Sequence, residues 1–549
     1  MAICKNCGAQ VRYDPESKRL VCDYCLSSFS VSEYEGEYIA ADETQLSEEE
    51  AAYYQNPEAG KTWQAYLYTC PSCGGQLLTY EETAATFCSF CGASVLLESR
   101  VSEERRPDII IPFSKTKQEC EQAYKKMLKK AVFAPSDMKK EEKIERFRGI
   151  YMPYWVYSFH KDGQINVRGR RSHRSGDYII NDNFDIRSDI KADIEGLAYD
   201  ASSSFSDSMS EAIAPFDYSK SEDFDPGYIS GFYADTSDTF PELYIDDARS
   251  CAKEMVSEVL LNEKEYSSHG AGAQDIEKGL DLEAEKPVLA LFPVWFLASR
   301  NKKGDRVSYA VVNGQTAKAA ADLPVDKKKL LIGTLILAIP VFLILNALIT
   351  MTPSQVMAFT FIFDIIACVI ANRRLNLVYT YENRINDKGY QIKAQQNWNL
   401  KTKKNPGSLL RALVFIFAVL AGLFVSVFLL SLDESAGELF LIVYIIAFIV
   451  IVNNTKKRRR KKEKETLTYA AAPMKSKIKV LIKPVISIVI AFFTIYASPV
   501  SDIYYYAACI ASLLLVMWCF WDILGMQNKL ASRPIAQFEK RGGQAYEDR

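Results

Sequence analysis

The hydrophobic pattern divides this chain into two unlike parts. Beyond residue 326 the apolar positions come in long unbroken runs: Leu330–Ile349, Pro353–Ala371, Ala412–Leu430, Leu439–Val452, Pro484–Val500 and Ile503–Leu524. A helix that crosses a bilayer needs about 20 apolar residues, with a range of about 17–25. Leu439–Val452 is short and Pro484–Val500 is at the lower limit, but flanking residues such as 435–437 and 480–482 extend both. Before residue 326 the apolar positions instead alternate or recur at helical spacing. Ile109-Ile110-Ile111-Pro112-Phe113 reads as a strand. Cys120, Ala123, Tyr124, Met127, Leu128 and Ala131 mark the inner face of a helix. Gly149–Phe159 and Leu289–Ala298 read as strands that share a Pro-x-Trp core, Pro153-Tyr154-Trp155 and Pro293-Val294-Trp295. They are expected to pack side by side as half-repeats. A meander should follow, with Asn313-Gly314 as a two-residue hairpin turn. The region 101–326 is therefore an expected α+β domain.

Charge orients the long runs. The formal net charge of -2 is an average of two halves. Residues 1–326 hold 37 basic and 55 acidic residues, and 327–549 hold 29 and 13. The short turns inside each pair of runs, 350–352, 431–438 and 501–502, carry no Lys or Arg. The segments between pairs are basic, and one contains Lys456-Lys457-Arg458-Arg459-Arg460-Lys461-Lys462. Basic residues beside span ends stay cytoplasmic. Six spans put every basic segment inside, as three hairpins with both termini cytoplasmic. Dropping the short fourth run would leave a loop of twelve basic residues outside. The lysine-arginine run then reads as a topology determinant beside anionic headgroups. Asp364, inside the second run, has no intramembrane Lys, Arg or His partner in the sequence; packing against a neighbouring helix is its expected role, with ion or proton translocation as the alternative.

The cysteines carry the clearest chemistry. Cys4-Lys-Asn-Cys7 precedes Cys22-Asp-Tyr-Cys25, and Cys70-Pro-Ser-Cys73 precedes Cys88-Ser-Phe-Cys91, with fourteen residues between the paired knuckles in both sets. This is an internal repeat. A CxxC turn aims two thiolates at one point, and two such turns close a tetrahedral Cys4 shell that suits zinc. Four thiolates leave no open position, so both sites are expected to be structural. Strands at Gln10–Tyr13 and Arg19–Cys22, and at Gln76–Tyr80 and Ala85–Cys88, would bring the knuckles together. Disulfide exchange chemistry would use one CxxC on a βαβ domain, not four matched knuckles. Cys120 belongs to a core helix face, Cys251 to a second amphipathic helix around Ile245–Leu260, and Cys368, Cys509 and Cys519 to the apolar runs.

Catalytic patterns are scarce, and no catalytic residue is expected. The three histidines, His160, His173 and His269, lack ligand spacing, and neither HExxH nor GxSxG occurs. Gly60-Lys61-Thr62 lacks the Gly that a phosphate loop needs five residues earlier. His173 lies among Arg168, Arg170, Arg171 and Arg174, which read as a solvated face opposing the acidic stretch around Asp182–Asp193.

The expected architecture is multidomain. It comprises a zinc ribbon (1–30), an acidic linker (31–65), a second ribbon (66–100), the α+β domain (101–326), an all-α region of six spans (327–528) and a tail (529–549). The paired knuckles resemble zinc ribbons of the transcription factor TFIIB type. With Ile111-Pro112-Phe113, Gly149–Trp155, Pro215–Tyr218, Tyr228–Tyr233 and Pro293-Val294-Trp295, the chain resembles bacterial multi-pass membrane proteins that contain TFIIB-type zinc ribbons. The resemblance implies Cys4, Cys7, Cys22, Cys25, Cys70, Cys73, Cys88 and Cys91 as ligands of two structural Zn2+ ions. It implies no helicase activity, because the helicase phosphate loop is missing. The expected role is binding or adaptor work with a cytoplasmic protein partner at the lipid bilayer. A nucleic-acid-binding regulator is the alternative, disfavoured by the acidic soluble half. A transporter or channel regulated by its ribbons is a third reading.

Overall fold

The computed structural model describes residues 3–32, 62–79, 88–93, 98–202, 205–301, 306–348, 352–383, 472–497 and 499–534. They form two compact units, one built from Met1–Val132 and Ser136–Asp322 with Pro534, and the other from Leu323–Arg533 with Phe133–Pro135.

In the first unit, β1 (Val11–Asp14), β2 (Arg19–Cys22) and β3 (Ser28–Phe29) form a small antiparallel sheet with its own register, Val11 opposite Cys22 and Leu20 opposite Phe29. Everything else joins one large sheet. β4 (Thr62–Thr69) pairs with β5 (Gln76–Thr79) on one edge and with β6 (Glu98–Arg105) on the other. β4 starts inside the stretch read as a linker. It gives the second knuckle pair a strand platform that belongs to the main sheet. Residues 80–87, which include most of the strand expected at Ala85–Cys88, lie outside the described residues.

The centre of the sheet is β8 (Arg148–Ser175) against β13 (Val288–Arg300), antiparallel, with Pro153 opposite Leu291 and Pro293 opposite Tyr151. The two Pro-x-Trp strands do lie side by side, and their surroundings repeat. A two-residue strand runs parallel to each: β7 (Ile109–Ile110) beside Ala290 and Leu291, and β11 (Tyr233–Ala234) beside Ile150 and Tyr151. The hairpin partner of each strand begins just past the proline, β9 (Tyr178–Asp200) at Tyr154 and β14 (Arg306–Asn313) at Val294. Each proline thus sits in the gap between two neighbours, where its missing N–H removes no ladder bond. Its carbonyl accepts from the end of the hairpin partner, Ala201 N to Pro153 O and Gly314 N to Pro293 O. Each tryptophan Nε1 donates at 3.0 Å to a carbonyl five residues past the parallel strand, Trp155 to Thr239 O and Trp295 to Lys115 O. A helix follows that carbonyl in both halves, α1 (Lys117–Lys130) and α2 (Ile245–Leu261). Residues 109–200 and 233–313 are therefore two versions of one strand–helix–strand–strand unit that exchange their first strands.

α1 starts at a capping box, in which Thr116 Oγ1 accepts from Glu119 N and Glu119 returns a carboxylate to Thr116 N. It buries Cys120, Tyr124 and Leu128, as its spacing predicts. Short strands β10 (Glu222–Asp223), β12 (Glu283–Ala284) and β15 (Ala319–Ala321) complete the edges. Alternation along β8 sends Ile150, Met152, Tyr154 and Val156 into one core, and Trp155, Tyr157 and Phe159 into another against Ala248, Ala252 and Val256 of α2.

Two expectations need correction. β8 does not end at Phe159: it continues with β9 as a long hairpin arm to Ser175, where Ser175 faces Tyr178. Along the arm Arg168 faces Asp185 and Arg171 faces Asp182, and His173 Nδ1 lies 3.3 Å from Asp182. The basic run is thus a solvated strand facing an acidic one. Asn313-Gly314 is not a two-residue turn. Asn313 Oδ1 accepts from Gln315 N and Thr316 N, and the loop closes only where Asn313 N donates to Lys318 O. Asn313 Nδ2 donates to Ile213 O, so its side chain is occupied in tying loop to body. Gly314 packs so close to Phe113 that a Cβ would lie 2.6 Å from the ring.

In the second unit four described helices are long and apolar enough to cross a membrane: α3 (Lys327–Leu348), α4 (Pro353–Glu382), α5 (Met474–Ala497) and α6 (Asp502–Leu530). α5 begins ten residues before Pro484, so the marginal fifth run has ample length. The runs Ala412–Leu430 and Leu439–Val452 lie outside the described residues. α4, α5 and α6 pack as a bundle with heptad-like seams. Met357, Phe361, Ile488, Ala491 and Ile495 fill one end, and Ala371, Val378, Cys519, Ile523 and Met526 the other. Lys483 pairs with Asp522 and lies over the Trp518 ring. Asp522, near the end of the last apolar run, thus has a specific partner in Lys483.

Candidate metal centres

Each of the four CxxC segments folds in the same way. The first Cys N–H donates to the carbonyl five residues on, and its own carbonyl accepts from the N–H four residues on. The pairs are Cys4 with Ala9 and Gly8, Cys22 with Ser27 and Leu26, Cys70 with Gly75 and Gly74, and Cys88 with Ala93 and Gly92. The fourth residue after the first Cys must take a left-handed conformation, which suits glycine. Gly8, Gly74 and Gly92 have φ of 73°, 75° and 68°. Leu26 occupies the same position at φ 58°.

These turns gather Cys4, Cys7, Cys22 and Cys25 into one cluster and Cys70, Cys73, Cys88 and Cys91 into another, with all sulfurs of a cluster within 4.8 Å of one another. The closest pairs are Cys4–Cys25 at 3.4 Å and Cys7–Cys22 at 3.5 Å, then Cys70–Cys91 and Cys73–Cys88, both at 3.8 Å. Metal–sulfur bonds of about 2.3 Å in a tetrahedron put sulfurs about 3.8 Å apart. A disulfide would need about 2.05 Å, and all these cysteines are free. Both donor sets fit a tetrahedral, thiolate-loving ion. Four thiols this close share their protons. Cys70 first, with Cys91 and burial, pushes Cys73 and Cys88 well above the ordinary thiol range, while Cys70, Cys73 and Cys88 hold Cys91 well below it. A bound cation removes this conflict by accepting charge from all four.

The two clusters differ in setting. In the second, all four cysteines are buried and lie in one core with Met152, Tyr154, Phe292 and Phe296. Phe90, inside the last knuckle, meets Phe296 edge-on at 6.1 Å. Arg300 of β13 straddles the site, with Nε donating to Cys91 O at 2.6 Å and a guanidinium N–H to Ser72 Oγ at 3.3 Å. Nothing in the local pattern announces this tether, because the arginine lies 209 residues from Cys91. In the first cluster Cys7 and Cys25 are exposed. Ser27, whose Oγ lies 3.2 Å from Cys25 Sγ, holds that thiol down at about 6. The small β1–β3 sheet leans on the body through β1. Tyr13 N donates to Ser230 O and its ring meets Tyr228 edge-on at 5.4 Å. Its knuckle end stays open, with Tyr24 84% and Leu26 79% exposed. Aligning the four knuckles on their cysteines would have singled out Leu26.

No family profile matches the chain, and no solved structure matches it. It is similar to the Uncharacterized protein YdjG of Bacillus subtilis (strain 168), with 28% identity over 332 residues, which cover 59% of this chain and 90% of that protein.

Proposed function

We propose that this chain is a multi-pass protein of a bacterial cytoplasmic membrane that uses zinc ribbons to bind a protein partner at the cytoplasmic face. Six spans in three hairpins place both termini inside, as the basic loops favour. The resemblance to membrane proteins with TFIIB-type zinc ribbons agrees with this arrangement. Zinc is the ion that four thiolates in a closed tetrahedron suit best. The eight cysteines hold two such ions, and with no open position the ions shape the ribbons and perform no reaction.

The observation that carries the reading is Leu26. A leucine in the left-handed region costs about 1–2 kcal/mol, and three equivalent knuckles avoid that cost with glycine. Here the strain holds a large apolar side chain in solvent beside exposed Tyr24. Exposed aromatic and aliphatic anchors on a rigid support are what a protein interface uses. DNA binding would need clustered Lys and Arg, whereas residues 1–326 carry 55 acidic against 37 basic residues.

A photo-crosslinking amino acid at position 24 of the full chain, activated in intact cells, should give a discrete protein adduct that nuclease leaves unchanged. Leu26→Gly should cut that adduct by about tenfold, equivalent to about 1.4 kcal/mol. It should keep both metals and leave ribbon stability within about 1 kcal/mol of the native chain. An adduct removed by nuclease, or salt-dependent DNA retention by the full chain, would overturn the reading.

A further inference from the structure

Asp364 lies on the inward seam of α4, fully buried between the two apolar ends of the α4–α6 bundle. Ser487 of α5, also fully buried, donates its Oγ to Asp364 Oδ2 at 2.6 Å. Asp364 Oδ1 is buried and has no hydrogen-bond partner among the described residues. A second orphan accompanies it: Ser512 of α6 is fully buried and its Oγ is also without a partner. Ser512 shares the inner face of α6 with Cys509 and Cys519. Cys509 packs at the Met357–Phe361 end and Cys519 beside Ala371. Ser512 therefore falls at the level of Asp364, while its neighbours Ile510, Leu513 and Leu514 face outward.

Two orphaned polar groups at one level of an apolar bundle are costly unless something joins them. The ionisable groups along the seams on either side of this level are Cys368 on α4, Lys483 on α5, and Cys509, Cys519 and Asp522 on α6. Lys483, one helical turn from Ser487, is engaged by Asp522 and the Trp518 face. No described side chain supplies a positive charge to Asp364.

We propose that Asp364, Ser487 and Ser512 form a site for one monovalent metal cation of the sodium class. The two carboxylate oxygens and two hydroxyls are hard oxygen donors, which suit alkali ions and not the thiolate-loving metal of the ribbons. One carboxylate neutralises one positive charge, so a monovalent ion leaves the bundle interior neutral, whereas a divalent ion leaves an uncompensated charge in hydrocarbon. The site is independent of the ribbon reading and adds a binding function to the membrane unit.

The test uses the full chain in lipid nanodiscs with radioactive sodium as the probe. The expected result is saturable binding of one sodium per chain, displaced by unlabelled sodium but not by choline. Asp364→Asn should weaken binding by at least about tenfold, and Ser512→Ala by about threefold or more. Zinc content and helical circular dichroism of each variant, equal to those of the native chain, show that the variant is folded. The inference is overturned if the native chain shows no saturable sodium binding. It is also overturned if folded Asp364→Asn binds as well as the native chain, or if Ser487→Ala and Ser512→Ala both leave binding unchanged.

Discussion

Cys73→Ser should abolish cooperative folding of the whole first unit, whereas Cys7→Ser should loosen only the small three-stranded sheet at the first cluster. The chemistry removed is the same in both: one thiolate of four, and with it most of the affinity of a closed site. Structural zinc contributes about 10–16 kcal/mol of apparent binding free energy in zinc-finger peptides, against a total domain stability of about 5–15 kcal/mol. What differs is where that loss is felt. Cys73 is buried in the core that also contains Met152, Tyr154, Phe292 and Phe296, so opening its site exposes the middle of the main sheet. The first cluster has its own three-stranded sheet and touches the body along one side, through Tyr13 and Tyr228. Thermal unfolding followed by near-ultraviolet circular dichroism checks this. Cys73→Ser should show no cooperative transition, and Cys7→Ser should keep the main transition while losing one metal. A Cys73→Ser chain that melts at the native temperature would contradict the account.

The second large effect is expected at Trp155. It is buried, donates its indole N–H to Thr239 O at 3.0 Å, and carries Arg105 4.8 Å from its ring centroid. It fixes the place where one half of the duplicated unit meets the strand exchanged from the other. Trp155→Ala should cost about 3–5 kcal/mol from the cavity. At about 2–4 °C per kcal/mol that lowers the melting temperature by about 6–20 °C. Trp155→Phe keeps most of the volume but leaves Thr239 O unpaired, and should cost less, about 1–3 kcal/mol. Arg168→Ala, in the exposed arm, should change stability by no more than about 0.5 kcal/mol. Equal losses at Trp155 and Arg168 would show that the sheet centre is not where stability is concentrated.

The parts legible in the sequence were those with a strict local rule. Thiolate geometry imposes the CxxC spacing, so the eight cysteines could be grouped correctly before any fold was known. Pro and Trp at fixed offsets announced the paired strands, because a proline in a central strand tolerates few neighbours. The length of β8 was not legible. Beyond Val167 its side chains are largely exposed, and a solvated arm leaves only a weak apolar alternation to read. Nor was the strand exchange legible: β7 and β11 are two residues each, too short for any periodicity, and their pairing is decided by contacts more than 70 residues away. The Asn-Gly reading failed because Asn313 is held by Ile213 O, a tertiary demand that overrides local turn preference. Leu26 and Arg300 share that character, since each matters through what it stands beside in space.

Two thiolate centres share one chain, one open at the tip of the small sheet and one built into the core of the main sheet. Metal analysis of the purified full chain, quantified against protein by amino-acid analysis, tests this most directly. The expected result is two zinc per chain, falling to one in Cys7→Ser while the soluble unit stays folded. Fewer than two zinc in the native chain would contradict it.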